Sequence, residues 1–372
     1  VKVVEIFTPR VEKLKNFLSK KELQNILILS DANIFYLTGF YGNKSGSLLL
    51  IMDDSWYLLV SLIYLEQAKK SVQIKNLNII CCKNDKFIKL TEILEDYKIR
   101  SIGIEGNNIN FSDFCRLKKM LSGQGKRLID CSGIVEKSRS VKDQSEISNI
   151  KNACKITDRV FKSIVRTGAA AVNKLSEAEL SLKIEELLVK SKSEGKSFDT
   201  VVAYGKNSSM PHHFPQNIKS KDGIILMDFG CRYNNYCSDM TRTVFIGDRK
   251  KCNKFKKIYD IVLKAQIAAI ENCREGITCS QLDGKARKFV DSKGFGDNFG
   301  HGLGHGVGLE VHEEPKINME SKTVLRQNMV ITIEPGIYIE GFGGIRIEDM
   351  VIVGKNKCEV LYSSTKKFIV LD

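Results

Sequence analysis

The chain has 372 residues, 42% of them hydrophobic and 27% charged, and a net charge of +14 from 58 basic and 44 acidic side chains. That length exceeds a comfortable single core, so two domains of an ordinary soluble protein are expected. With no run of 18 apolar residues, and no secretory leader in Val1–Ile6, a cytoplasmic location without membrane insertion is the expectation.

The lysines are scattered through every segment. The densest cluster, Arg249-Lys250-Lys251 with Lys254, Lys256 and Lys257, has no interleaved aromatic residues. It reads as a solvated surface rather than a nucleic-acid footprint. The cysteines number eleven, an odd count, and none forms a Cys-x-x-Cys pair. Reduced, mostly buried thiols are expected rather than a zinc ribbon or a disulfide scaffold.

In chain order, Thr8-Pro9 offers a capping hydroxyl and a proline suited to the first helical position, and Val11, Leu14, Phe17 and Leu18 follow at helical spacing. Strands are expected at 25–29, 46–51, 56–60, 77–82, 100–105 and 127–130, with a turn at Asp53-Asp54 and helical stretches between. This alternation predicts an α/β domain over residues 1–135. The polar segment Glu136–Asp143 reads as a linker. A second, α+β domain follows over 144–372, with helices from near Ser145 to Arg166, stopped by Gly168, and from the Ser176–Glu179 capping box towards Ser191. Two further helices are expected at about 253–273 and 280–291, among glycine-rich strands.

All five histidines lie between His212 and His312, and His301, His305 and His312 share one stretch. Histidine is the commonest metal ligand and the usual proton carrier near neutral pH, so the chemistry is expected there. Carboxylates come in two pairs. Met227–Thr243 reads as two strands joined by a tight turn at Asn234-Asn235, residues that tolerate positive φ. That register sets Asp228 opposite Thr241 and makes Asp239 a diagonal neighbour on the same face, at roughly 7–8 Å. Likewise, Val330–Ile339 and Gly344–Val351 flank a turn at Gly341 that sets Glu334 across from Glu348. Like charges in apolar strands need a counter-charge, and four carboxylates with a histidine suit two divalent ions. The Asp-Phe-Gly at 228–230 is shared with kinases, but no phosphate loop or His-Arg-Asp motif accompanies it.

On these residues the chain resembles the metallopeptidases of the methionine aminopeptidase, prolidase and aminopeptidase P group, whose catalytic domain has the pita-bread fold. The family's five ligands fall on Asp228, Asp239, His305, Glu334 and Glu348, with the aspartates eleven apart as in relatives. His301 and Arg346 match the accessory pair of the prolidase and aminopeptidase P branch. Asn33–Phe40 is similar to the creatinase/prolidase N-terminal domain, and 198–212 to the segment bearing the first active-site histidine, matched by His212.

The resemblance implies that Asp239 and Glu348 contact both ions, Asp228 one, and His305 with Glu334 the other. Manganese is the first choice of metal, cobalt or zinc the alternatives. It further implies that Glu334 shuttles protons, that His212 and His312 donate to the oxyanion and the following carbonyl, and that His301 and Arg346 shape and charge a proline-side pocket. The expected activity is a Xaa-Pro aminopeptidase acting on peptides with proline second, as a homodimer. The alternatives are a prolidase confined to dipeptides and, more remotely, a non-catalytic protein- or nucleic-acid-binding module. Two departures stand out: Val60-Ser61-Leu62-Ile63-Tyr64 replaces the Thr-Asp-x-Arg-Tyr of relatives, and the stretch from His212 to Asp228 is one residue shorter.

Overall fold

The computed structural model describes residues 4–371 apart from 53–54, 73, 75 and 220–221, so the Asp53-Asp54 turn lies outside the described residues. Two compact units result, Val1–Arg139 and Ser140–Asp372.

The first unit is built on a six-stranded sheet: β1 (Ile26–Ile28), β2 (Leu48–Ile51), β3 (Trp56–Ser61), β4 (Leu77–Cys82), β5 (Ser101–Ile104) and β6 (Arg127–Asp130). The spatial order is β4-β3-β2-β1-β5-β6. β2 runs antiparallel to its neighbours β1 and β3, and the other adjacent pairs are parallel. β1 and β2 are apolar and buried at every position, because helices cover both faces of a parallel-type sheet. The helices are α1 (Val4–Ser19), α2 (Asp31–Thr38), α3 (Leu65–Ser71), α4 (Lys86–Glu95), α5 (Phe111–Gly123) and α6 (Ile134–Arg139). Contrary to the expected start at Pro9, α1 encloses that proline. Its buried stripe of Phe7, Val11, Leu14 and Leu18 begins ahead of the proline and carries the helix back past it.

The segment 136–143 is folded rather than slack. Its first part lies in α6, and Arg139, 2% exposed, donates from Nη1 to Asn33 Oδ1 at 2.7 Å. Beyond the division Val141 bridges Met329, and Lys142 N donates to Asn328 O. Glu105, at the end of β5, accepts from Leu29 N, Ser30 N and Asn33 Nδ2, and burial pushes its pKa up to about 7. The altered Leu62–Tyr64 turn is a short 3-10 helix with Leu62 and Ile63 exposed.

The second unit opens with α7 (Gln144–Val172), whose capping box joins Asp143 and Glu146. Gly168 breaks its helical path with φ +73°, where a side chain would be strained. α8 (Glu177–Lys190) starts at the Ser176–Glu179 capping box, and α9 (Asn253–Asn272) and α10 (Cys279–Asp291) follow later. The strands are β7 (Val201–Tyr204), β8 (Gly223–Phe229), β9 (Arg232–Tyr233), β10 (Tyr236–Cys237), β11 (Met240–Ile246), β12 (Gly304–Gly306), β13 (Glu313–Ile317), β14 (Val330–Ile333), β15 (Gly336–Ile339), β16 (Gly343–Arg346), β17 (Asp349–Ile352), β18 (Glu359–Val360) and β19 (Val370–Leu371). They form a four-stranded sheet, β19-β11-β8-β7, a five-stranded sheet, β13-β12-β14-β17-β18, and the small ladders β9-β10 and β15-β16. Val262, Ala265 and Ala269 of α9 and Leu282, Ala286 and Val290 of α10 share one core with Ile331, Ile333, Ile337, Ile345 and Val351 from the strands. Helices thus cover one side of the strands that carry the carboxylates. All eleven cysteines are free thiols. Among the described residues no helix is long and apolar enough to cross a membrane.

Candidate metal centre

Both carboxylate pairs arise from strand register. Tyr233 pairs with Tyr236 across Asn234 and Asn235, whose φ angles of 48° and 67° supply the tight turn, and Asp228 pairs with Thr241. In the second pair, Ile333 is opposite Asp349 and Gly336 is opposite Arg346. The same register runs through both ladders, so Glu334 and Glu348 face each other in the gap between them. Pro335 lacks the N–H that a continuous ladder would use there.

One oxygen each of Asp239 and Glu348 and one nitrogen of His305 lie within 4.8 Å of one another. His305 Nε2 is 3.3 Å from Glu334 Oε1 and 3.6 Å from Asp239 Oδ2. Its Nδ1 faces the Gly306 carbonyl at 3.0 Å, which can only accept, so the proton sits on Nδ1 and Nε2 points at the carboxylates. Asp228 joins from the other side through Arg346, whose Nη2 is 2.6 Å from its Oδ2. Hydroxyls orient the remaining acids: Thr241 donates to Glu348 Oε2 at 2.7 Å and Thr332 to Glu334 Oε1 at 3.1 Å. Behind Glu348, the buried Arg242 binds the Glu348 carbonyl and pairs with Asp349 at 2.7 Å, which fixes the strand that presents the glutamate.

The electrostatics show the strain of this arrangement. Burial and the neighbouring carboxylates push Asp239 and Glu348 well above the usual carboxylate range, and burial raises Asp228 even beside Arg346. Burial would also lower His305, but the hydrogen bond and charge of Glu334, with Asp239, overcome it and raise the imidazole to about 9. Burial opposes ionisation of Glu334, yet the same His305 contact draws it down to about 2. Asp228 Oδ1 and Glu348 Oε1 are buried without a hydrogen-bond partner. Such oxygens can be satisfied by water or by a cation. Four carboxylates and one imidazole nitrogen are the donor set that hard or borderline divalent ions prefer, so the residues fit such ions.

The accessory residues are placed as follows. His312 stands edge-on to His305, with ring centroids 4.4 Å apart, and burial together with the His305 charge lowers its pKa. His212 is exposed, on the loop after β7, and close enough to contribute to that lowering. Its neighbour His213 is instead buried against Glu177 at 2.7 Å. Glu177 also accepts from Tyr204 N, Asn207 Nδ2 and Gln216 N, and so fastens both ends of the loop that carries His212. His301 bonds the Gly302 carbonyl through Nδ1, and burial keeps the ring neutral, so Nε2 accepts from Tyr338 OH at 3.0 Å. Tyr338 in turn accepts from Arg346 Nη1 at 2.8 Å, while Arg346 Nε donates to Thr241 at 2.9 Å. Arg346 is therefore engaged on three sides, by Asp228, Thr241 and Tyr338. Tyr338, Thr241, Thr332 and Glu177 were not singled out as site residues from the sequence. Tyr338 was within reach, since strand alternation puts it on the face of Glu334 four residues earlier.

Two family models match the chain: that of the creatinase/prolidase N-terminal domain over residues 10–141 and that of metallopeptidase family M24 over residues 148–355. Among curated relatives, the Xaa-Pro dipeptidase of Pyrococcus horikoshii is 34% identical over 98% of this chain and 100% of its own. Among solved structures, a Xaa-Pro dipeptidase from Bacillus anthracis superposes with a TM-score of 0.90 at 33% identity, covering 98% of this chain and 99% of that one. An X-Pro aminopeptidase from Thermotoga maritima gives 0.87 at 34% identity, covering 97% and 99%.

Proposed function

The chain belongs to metallopeptidase family M24, with the pita-bread catalytic fold of the prolidases, and from that membership we propose that it is a Xaa-Pro aminopeptidase using two divalent ions. It would release the first residue from peptides with proline second. The observation that carries the reading is the convergence of Asp228, Asp239, Glu334 and Glu348 with His305, leaving buried carboxylate oxygens without partners. These five residues would hold the ions, manganese first and cobalt or zinc next. Ions held there supply Lewis acidity, acidifying water and polarising the scissile carbonyl.

The chain's own residues supply the rest. Glu334 is ionised around neutral pH, so it can accept the proton lost by the attacking water and deliver it to the leaving proline nitrogen. That nitrogen departs only once protonated. His312 and His212 offer imidazole N–H donors beside the cluster, suited to the oxygen on which charge develops and to the next carbonyl. His301, kept neutral by burial, presents an uncharged ring edge that suits an apolar pyrrolidine. Arg346 and Tyr338 hold that ring and Asp228 in place.

Arg346 gives three of its N–H groups to Asp228, Tyr338 and Thr241 and keeps others to spare, so its engagement favours neither an aminopeptidase nor a dipeptidase. The dipeptide-restricted reading has its own support in the relatives from Pyrococcus horikoshii and Bacillus anthracis, both named Xaa-Pro dipeptidases. Hydrolysis of Arg-Pro-Pro beside Ala-Pro, after chelation and after adding back manganese, cobalt or zinc, decides between them. Metal-restored cleavage of the tripeptide is the expected result, and cleavage of the dipeptide alone establishes the prolidase. Silence on both with every metal, from folded protein, overturns the peptidase reading.

A further inference from the structure

Lys142 is 2% exposed, which is rare for a lysine, and its Nζ lies 3.2 Å from Glu313 Oε2, with the two side chains 1% and 5% exposed. The mechanism above uses neither residue. Breaking a buried ion pair is costly, yet replacing it whole with apolar groups is often neutral, so such a pair is weak evidence of a need for stability. Its value has to be sought in placement.

The two partners sit at informative positions. Glu313 directly follows His312. Its Oε1 accepts from Glu310 N at 3.1 Å, and a Cβ at Gly308 would come within 2.6 Å of its Oε2, so the carboxylate folds back over the 308–312 loop. The same loop is tied to the strand leading to Asp239, through Cys237 N to Gly308 O at 2.7 Å. Lys142 is registered to a different element. Its N donates to Asn328 O at 3.0 Å and Val141 bridges Met329, immediately before β14, the strand that ends at Glu334. The ammonium also reaches Ser140 O at 3.4 Å. The ion pair therefore couples the loop of His312 to the strand of Glu334.

We propose that the Lys142–Glu313 pair is a positioning device that holds His312 at its place beside His305, for the reaction. The proposal rests on the reading of His312 as a donor to the reacting carbonyl. Lys142→Met and Glu313→Gln should each lower both Tm and kcat. The paired apolar replacement Lys142→Met/Glu313→Leu should regain most of the Tm but leave kcat on Arg-Pro-Pro roughly 10- to 100-fold down, with KM little changed. In a His312→Ala background the same pair should cost less than about twofold, because there is no donor left to misplace.

A readout free of turnover comes from ring NMR of histidine-labelled, metal-free protein. The resonance that vanishes in His312→Ala should shift or broaden in the paired variant, while that of buried His213 stays. Recovery of kcat together with Tm, a full additional loss on top of His312→Ala, or an unmoved His312 resonance would overturn the proposal. If the wild type cleaves no Xaa-Pro peptide the functional reading fails, and the His312 resonance still decides whether the pair positions that ring.

Discussion

Replacing Arg346 with methionine separates a structural charge from a metal-dependent one. The guanidinium is 4% exposed and meets Asp228 at 2.6 Å, Tyr338 at 2.8 Å and Thr241 at 2.9 Å. Methionine keeps part of the volume but leaves Asp228 as a buried carboxylate near Asp239, Glu334 and Glu348 with its own ion-pair partner gone. Removing one partner of a buried pair costs about 3–5 kcal/mol, because the charge left behind has lost both water and its partner. For a unit of this size about 1 kcal/mol moves Tm by roughly 2–4 °C, so the metal-free variant should melt about 6–20 °C lower. A divalent ion on Asp228 supplies the missing counter-charge, so with saturating manganese the drop should shrink to less than half. Scanning calorimetry in chelator and in manganese, following the transition of the catalytic unit, measures both. Equal drops in the two states would mean that Asp228 faces no metal, and the ligand assignment would have to be abandoned.

Glu334→Gln keeps the shape of the shuttle without its basicity, so kcat should fall by about 10²- to 10⁴-fold with KM changed far less; steady-state kinetics near wild-type values would remove Glu334 from the proton path. Tyr338→Phe breaks the link from Arg346 to His301 at the cost of about one hydrogen bond, so kcat/KM on proline substrates should drop roughly 3- to 10-fold, and an unchanged value would make the link idle. Glu105 has its pKa raised from 4.5 to about 7 by burial, so the folded state binds more protons than the unfolded one across that window. Stability should therefore be greatest below the window, decline by roughly 3 kcal/mol as pH rises through it, and level off above. Tm against pH for the wild type and Glu105→Gln tests this, the difference between the two curves carrying the effect.

What the sequence disclosed here was mostly what depends on short-range register. The Asn234-Asn235 turn is set by residues that accept positive φ, so the pairing of Asp228 with Thr241 followed by counting. The same counting from Gly341 aligned Glu334 with Glu348 even though Pro335 interrupts the ladder between them. Capping boxes at Ser176 and a stop at Gly168 were equally local. Less legible were contacts between residues far apart in the chain. The pairing of His213 with Glu177 spans 36 residues and that of Lys142 with Glu313 spans 171, and no local pattern announces either. The partners of Arg346 were hidden for a related reason: spacing placed it near the acids, but the three groups it meets come from β8, β11 and β15. Pro9 misled because proline favours a helix start and opposes a helix interior, yet the apolar stripe of Phe7, Val11, Leu14 and Leu18 carries the helix across it.

The charges at the centre lead to one more consequence. Among the described residues, Arg346 and His305 are the cations paired with Asp228, Asp239 and Glu334, and Glu348 adds a fourth carboxylate, so full ionisation of these groups would leave two negative charges in excess. Without metal, protons make up the difference: Asp239 and Glu348 are pushed well above the usual range and His305 is held near 9. Metal ligation needs the opposite states, with Nε2 of His305 free and the carboxylates ionised. Loading the site near pH 7 should therefore expel about one to three protons, and affinity should climb as pH rises towards the His305 value. Titration calorimetry of manganese into chelator-stripped protein, in two buffers of different ionisation heat, counts those protons directly. A count of zero at pH 7 would show that the ion binds groups already deprotonated there, and the exchange of protons for metal would have to be abandoned.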